Sequence, residues 1–261
     1  MFEKMGNTER DGAAKRFYMI SCEVMQREIS MCVAKSNNII DTEFVTQAYH
    51  DLPSTEMSKK LQMHIDSVNS SRYDAILLGF ALCNNGIVGL TARGIPLVIP
   101  KAHDCISLLM GSRGKYDEYF ESHPGTYFFS GGWIERDSDN LQTVENSVMS
   151  KLGLDLTYQQ YVDKYGKEET EYIMEALGGG LKNHYSTIAL IDTGTGNIES
   201  YREFAKSEAE RRDLTFMEIQ GGLNFLMKLT EGDWDEKEFL VLAPGESVHP
   251  CYAGEIIKTG C

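Results

Sequence analysis

The sequence predicts an α/β fold: two Rossmann-like lobes with mainly parallel sheets, facing a shared cleft. Two observations carry this expectation. Short apolar runs of strand length alternate with stretches of helical periodicity, the pattern of βαβ units. The order strand–helix–strand–helix–strand then occurs twice, first from Phe17 and again from Thr187. The expected organisation is a flexible N-terminal tail at 1–14, a first lobe at 15–135, a second lobe at 136–250 and a C-terminal tail at 251–261.

In the first lobe a strand is expected over Phe17–Ser21 and a helix over Glu23–Ala34. A short strand near Ile39–Val45 precedes a helix over Glu56–Asn69, where Met57, Leu61, Ile65 and Val68 recur at helical spacing. The strand Ala75–Phe80, a glycine-broken helix over Gly86–Ala92, the strand Leu97–Ile99 and a helix starting at His103–Asp104 complete the lobe. The aromatic run Tyr127-Phe128-Phe129-Ser130-Gly131-Gly132-Trp133 would bridge the lobes. It reads either as a packed core strand or as an apolar wall over the cleft.

The second lobe opens with tyrosine- and charge-rich helices over Val144–Leu177, broken at Gly178-Gly179-Gly180. Strands are expected at Thr187–Ile191, Thr215–Ile219 and Phe239–Ala243, with helices at Ile198–Arg212 and Leu223–Leu229 between them. Aligning the two plans puts Asp192 where the first lobe has Cys22.

Composition narrows the function. A net charge of −14 argues against nucleic acid as a partner, because binding it requires basic surface to displace counterions from phosphates. It argues equally against docking on anionic lipid. No apolar run approaches the roughly 20 residues of a membrane helix, and the polar start of the chain lacks a signal peptide's apolar stretch. The expected location is cytoplasmic. Hydrophobic residues make up 42% of the chain, enough for a core without disulfides. The six cysteines include no CxxC pair, so neither a zinc ribbon nor a redox dithiol is expected. Cys32 reads as a small core residue of a helix. Cys251 and Cys261 fall in the tail, and His249 with Cys251 is a possible extension of the site.

The chemistry-bearing residues sit where strands end. Cys22 follows the first strand, Cys83 the Ala75–Phe80 strand, and His103-Asp104-Cys105 the Leu97–Ile99 strand. In a parallel sheet these ends share one edge, where ligands bind. Cys22, Cys83, His103 and Cys105 therefore form a candidate metal site, because zinc prefers tetrahedral sulfur and nitrogen ligands. His103 and Cys105 are two apart at a helix start, a spacing that leaves room for only one of them to face the site. The competing reading is that all three cysteines are small buried residues.

Asn84, Asn85 and Gly86, directly after Cys83, form a turn able to orient a substrate or merely to start a helix. Asp192, Thr193 and Gly194 open a glycine-rich strand-to-helix loop. It matches neither the dinucleotide fingerprint nor the P-loop. Asp192 reads as a catalytic group or as a helix cap, and Glu246, after Pro244-Gly245, as a second catalytic carboxylate. Trp133 is a candidate substrate-contacting aromatic. No nucleophile elbow surrounds any serine, which argues against an ordinary serine hydrolase.

Leu82-Cys83-Asn84-Asn85-Gly86, Ala102-His103-Asp104-Cys105-Ile106, the following Leu108-Leu109-Met110-Gly111-Ser112 and the Gly131-Gly132-Trp133 stretch resemble domain-of-unknown-function family 1638 over residues 17–245. The resemblance implies an anaerobe's protein near corrinoid-dependent methyl transfer or one-carbon metabolism, with a corrinoid protein as a possible partner. A zinc-bound Cys/His site would there activate a small-molecule substrate. The leading expectation is a zinc-dependent methyl- or group-transfer enzyme. One alternative is a non-catalytic carrier or sensor of iron, an iron–sulfur cluster, a corrinoid or a tetrapyrrole. Another is a metal-free, racemase-like cysteine enzyme.

Overall fold

The computed structural model describes residues 14–83, 85–137, 162, 166–167, 170, 185–251 and 256–260. The expected helices over Val144–Leu177 fall outside these except at residues 162, 166–167 and 170, and so do the three-glycine break, Asn84 and Cys261. The fold is mixed α/β with mainly parallel sheets.

The larger sheet has the order β2-β1-β3-β4-β8. Its strands are β1 (Arg16–Cys22), β2 (Ile39–Val45), β3 (Ala75–Gly79), β4 (Leu97–Pro100) and β8 (Phe239–Leu242). The first four are parallel, and β8 runs antiparallel to β4. Every residue of β3 and β4 is buried, as expected of parallel strands covered on both faces. The covering helices include α1 (Gln26–Lys35), which buries Ile29 and Cys32, and α2 (Ser54–Ser67), which buries Met57, Leu61 and Ile65. Farther along the chain come α3 (Cys105–Leu109) and α4 (Arg113–Ser122).

The smaller sheet is β5 (Thr126–Ser130), β6 (Thr187–Asp192) and β7 (Thr215–Gln220), all parallel with β6 central. Helix α5 (Gly131–Asp137) follows β5 directly, and α6 (Ile198–Arg212) follows β6. Its own core is Phe129, Ile188, Leu190, Tyr201, Ala205 and Ala209. Helix α7 (Asn224–Glu231) buries Phe225, Leu226 and Leu229 in the core of the larger sheet, and β9 (Val248–Pro250) pairs with β10 (Ile257–Thr259) in a two-stranded ribbon.

Three details differ from the sequence expectation. The aromatic strand β5 pairs with β6, so the smaller sheet takes a strand from each side of the boundary expected at residue 135. Phe239–Leu242, expected among the second lobe's strands, instead extends the larger sheet beside β4. Both are apolar strands whose residues alone do not say which edge they join. An antiparallel edge strand on a parallel sheet is a common solution, and Val241, 42% exposed, marks β8 as that edge. Third, Gly86–Ala92 is a series of turns rather than a helix. Gly89 has φ of 84°, and this segment bonds instead to Val248 through the Gly89 N–H and the Leu90 carbonyl.

Candidate functional site

Four neighbouring strands, in the order β2-β1-β3-β4, end at the same edge of the larger sheet, and each delivers one sulfur or imidazole there. Strand β2 runs into a short 3-10 turn, Gln47–Asp51, that carries His50. Cys22 is the last residue of β1. Cys83 follows β3 by four residues, and Cys105 opens α3 after β4. The three thiols are nearly dry, at 2%, 8% and 7% exposure for Cys22, Cys83 and Cys105.

Burial dominates their protonation. It pushes Cys22 and Cys83 well up and Cys105 to about 12. Mutual repulsion adds to this, since a charge on Cys105 would raise both Cys22 and Cys83. At neutral pH the cluster therefore holds protonated thiols, unless a cation replaces the protons. His50 lies with Nε2 3.6 Å from the Cys22 Sγ. Burial pulls its imidazole down to about 4, so it is neutral and able to act as a nitrogen donor.

Aromatic side chains close the cluster. The Trp133 indole N–H donates to Cys105 Sγ at 3.4 Å. The same ring lies 5.9 Å from the His50 ring, and the Phe80 ring lies 6.4 Å from it. Trp133 belongs to α5, which follows the smaller sheet's β5, so both sheets contribute to this spot. Close approach here depends on Gly132, where a Cβ would lie 1.7 Å from the Val24 carbonyl oxygen.

The backbone at Cys83 is unusual. Its φ is 44°, a left-handed conformation rare outside glycine, asparagine and aspartate. Two hydrogen bonds hold it there. The Cys83 N–H donates to the His103 carbonyl at 3.0 Å, and the Cys83 carbonyl accepts the Gly86 N–H at 3.0 Å. Asn85, the neighbour two residues on, is also left-handed at 62°, but its side chain is exposed. Gly86 is buried where a Cβ would strike Met57, so its role is packing.

His103 is exposed, while Cys105 is buried. Two residues apart at the start of α3, they turn to different sides, and the imidazole beside the thiols is His50. Asp104 between them is the helix cap: its Oδ1 accepts the Ser107 N–H at 3.1 Å, and its Oδ2 accepts the Tyr116 hydroxyl at 3.1 Å.

Strand β6 places Asp192 at its end, where Oδ1 accepts the Gly194 N–H at 2.8 Å in a local turn. The next residues reach across to the larger sheet's α1. The hydroxyls of Thr193 and Thr195 each donate to Glu28 Oε1 at 2.7 Å. Gly194 itself is exposed. Glu246 lies elsewhere. Because β8 is antiparallel, with Leu242 beside Leu97 at the start of β4, residues after β8 emerge at the opposite end of the sheet. There Glu246 Oε2 accepts the Ala243 N–H at 2.7 Å and closes a turn. His249 and Cys251 follow in the β9 region, which turns back along Leu90 and Gly89 and pairs with β10.

Among the described residues, no set of three or more His, Cys, Asp or Glu side chains is arranged as it stands to hold a metal ion. The donor chemistry nevertheless suits a soft or borderline metal: three sulfurs and a neutral imidazole.

Sequence reasoning missed His50 and Glu28. His50 satisfies the criterion that found the cysteines, because it follows a strand of the same parallel sheet. Glu28 carries no comparable signal, lying one turn into a helix beside Ile29. Neither a search of curated proteins nor one of solved structures found a match. A family model described as "Protein of unknown function (DUF1638)" matches residues 44–230, a narrower span than the resemblance suggested but most of the chain, and the chain belongs to that family.

Proposed function

We propose that this protein binds a soft metal ion, zinc in the first instance, through Cys22, Cys83 and Cys105 with His50 as the nitrogen donor. We further propose that it is a methyl- or group-transfer enzyme acting on a small molecule in a cleft between its two sheets, in the one-carbon and corrinoid context that the resemblance implies. One observation carries the metal reading. Four adjacent parallel strands each end in a thiol or an imidazole, and all four groups are held in the core or against it. The left-handed Cys83 supports it, since strain of this kind persists where surrounding structure enforces it and is frequent at functional sites.

When bound, zinc would supply Lewis acidity or a metal-held thiolate nucleophile. The chain's own residues do the rest. Cys22, Cys83 and Cys105 give up protons on binding, which makes affinity rise with pH. His50 is already neutral and ready to ligate. Trp133 shields Cys105 from water and fixes its sulfur by hydrogen bonding. The Thr193 and Thr195 hydroxyls, which tie the loop after β6 to Glu28 on α1, support a cleft between the sheets. A racemase-like mechanism is less well supported. A thiol base needs an ionisation near the working pH, whereas here Cys105 is pushed to about 12 and its neighbours also upward.

The test is elemental analysis of protein purified anaerobically without added metal. The expected content is about one zinc per chain, held once the thiols give up their protons to the metal. Cys83→Ala and His50→Ala should lose most of it, and His103→Ala should keep it. Wild-type content below about 0.2 per chain would sink the proposal, as would zinc that survives in Cys83→Ala. A coloured protein containing iron would move the reading to the carrier or sensor alternative.

A further inference from the structure

Glu28 is 1% exposed, yet only half of its carboxylate is satisfied. Oε1 accepts both the Thr193 and the Thr195 hydroxyl at 2.7 Å. Oε2 is buried and has no hydrogen-bond partner among the described residues. No ion pair to Glu28 occurs among them either. An uncompensated buried carboxylate is costly, and each such group in a folded protein calls for an explanation.

Its position gives one. Glu28 projects from α1, is pinned by the loop that ends β6, and is near enough to Cys105 to disfavour ionisation of that thiol. A second acceptor shows the same deficit. Gln47, 6% exposed and in the same short turn as His50, has a buried Oε1 with no donor among the described residues. Glu28 Oε2 can only accept while it is ionised, so what fits it is a donor. The rings of Trp133, Phe80 and His50 gather beside the same thiols, and aromatic faces attract organic cations.

We propose that Glu28 is the substrate-anchoring carboxylate of the thiol site, and that the substrate it takes carries a protonated nitrogen: a small organic ammonium ion. This deepens the reading given above and rests on it for where the chemistry occurs. The ammonium group would donate N–H bonds to Glu28 Oε2 and neutralise its charge. The two threonines hold the other oxygen, so the carboxylate is already oriented when the ligand arrives.

Titration calorimetry of the full zinc-loaded chain with ethylammonium chloride, against ethanol as the neutral analogue, tests this. Saturable binding of ethylammonium is expected, at least about tenfold tighter than ethanol. Glu28→Gln, which keeps the shape and removes the charge, should weaken ethylammonium about tenfold or more while leaving ethanol unaffected. Equal binding of the two ligands to wild type would overturn the proposal without any variant. So would unchanged ethylammonium affinity in Glu28→Gln, which would leave Oε2 bonded to water alone. Zinc content is measured on the same samples. A zinc-loaded protein that ignores ethylammonium refutes the ammonium site alone, whereas a zinc-free protein that binds it through Glu28 refutes the metal reading alone.

Discussion

Strands β1 and β6 hold equivalent places in the two sheets. Each lies between two parallel neighbours, and each ends in a polar residue, Cys22 beside Val45 in one and Asp192 beside Gln220 in the other. Their surroundings differ sharply. Cys22 is 2% exposed, with an imidazole against it and aromatic rings above. Asp192 is half-buried and spends its carboxylate on the N–H of Gly194. The same strand-end position thus yields a dry thiol cluster in one sheet and a wet, self-capped turn in the other. What separates them is cover: α5 lays Trp133 over the first edge. Topology brings groups together, and packing decides whether they can do chemistry that water would suppress.

The cover is the place to break this comparison. At Gly132 an added Cβ would sit 1.7 Å from the Val24 carbonyl oxygen and 2.5 Å from its carbon, both backbone atoms that cannot rotate away. Gly132→Ala should therefore cost about 3 kcal/mol or more, the scale of severe overpacking. Urea unfolding followed by tryptophan fluorescence measures it. A loss under about 1 kcal/mol would mean that the helix can retreat from the edge cheaply, and that the dryness of the thiols has another origin.

The next effect concerns His50 in metal-stripped protein. Burial lowers its folded pKa from 6.5 to about 4. Below pH 6.5 the unfolded chain takes up a proton that the folded chain refuses. The contribution is therefore fully present above pH 6.5 and is lost as pH falls toward 4. From pH 6.5 to 5 the loss should approach about 2 kcal/mol. Glu135, Glu208 and Glu218 are also held below the usual carboxylate range, so their loss of stability begins at lower pH. His50→Gln should flatten the curve in the upper window alone. An unchanged slope there would show that water reaches the ring, and that this edge is as wet as the one at Asp192.

Much of the fold was legible because the period of the apolar residues is set by local geometry. The strand expected over Ile39–Val45 has those bounds, and Met57, Leu61 and Ile65 form the buried face of α2. The convergence of Cys22, Cys83 and Cys105 was legible for the same reason, since alternating strands and helices bring strand ends to one edge. The misreadings arise where long-range contacts decide. Phe239–Leu242 is an apolar strand in any sheet, and its antiparallel pairing with β4, set by a neighbour distant in sequence, carries Glu246 away from the thiols. Gly86–Ala92 had helical character locally but is spent on contacts with Val248. His103 outranked His50 only by proximity to Cys105 in sequence, although the two imidazoles occupy equivalent loops after strands. Glu28 depends on hydroxyls 165 and 167 residues away, which no local pattern encodes.

The smallest effect sharpens the comparison most directly. The Asp192 side chain accepts one backbone N–H, from Gly194, and an asparagine carbonyl can accept the same bond. Asp192→Asn should then change stability by less than about 0.5 kcal/mol, and Asp192→Ala by about 1 kcal/mol, the usual worth of one such hydrogen bond. Neither should alter zinc content. Cys22→Ala, at the matching position of the other sheet, should lower the metal content while costing little in fold. The decisive measurement is zinc per chain across these three variants. If Asp192→Asn depletes the metal as far as Cys22→Ala does, the carboxylate belongs to the same site as the thiols, and the wet edge and the dry edge form a single functional unit.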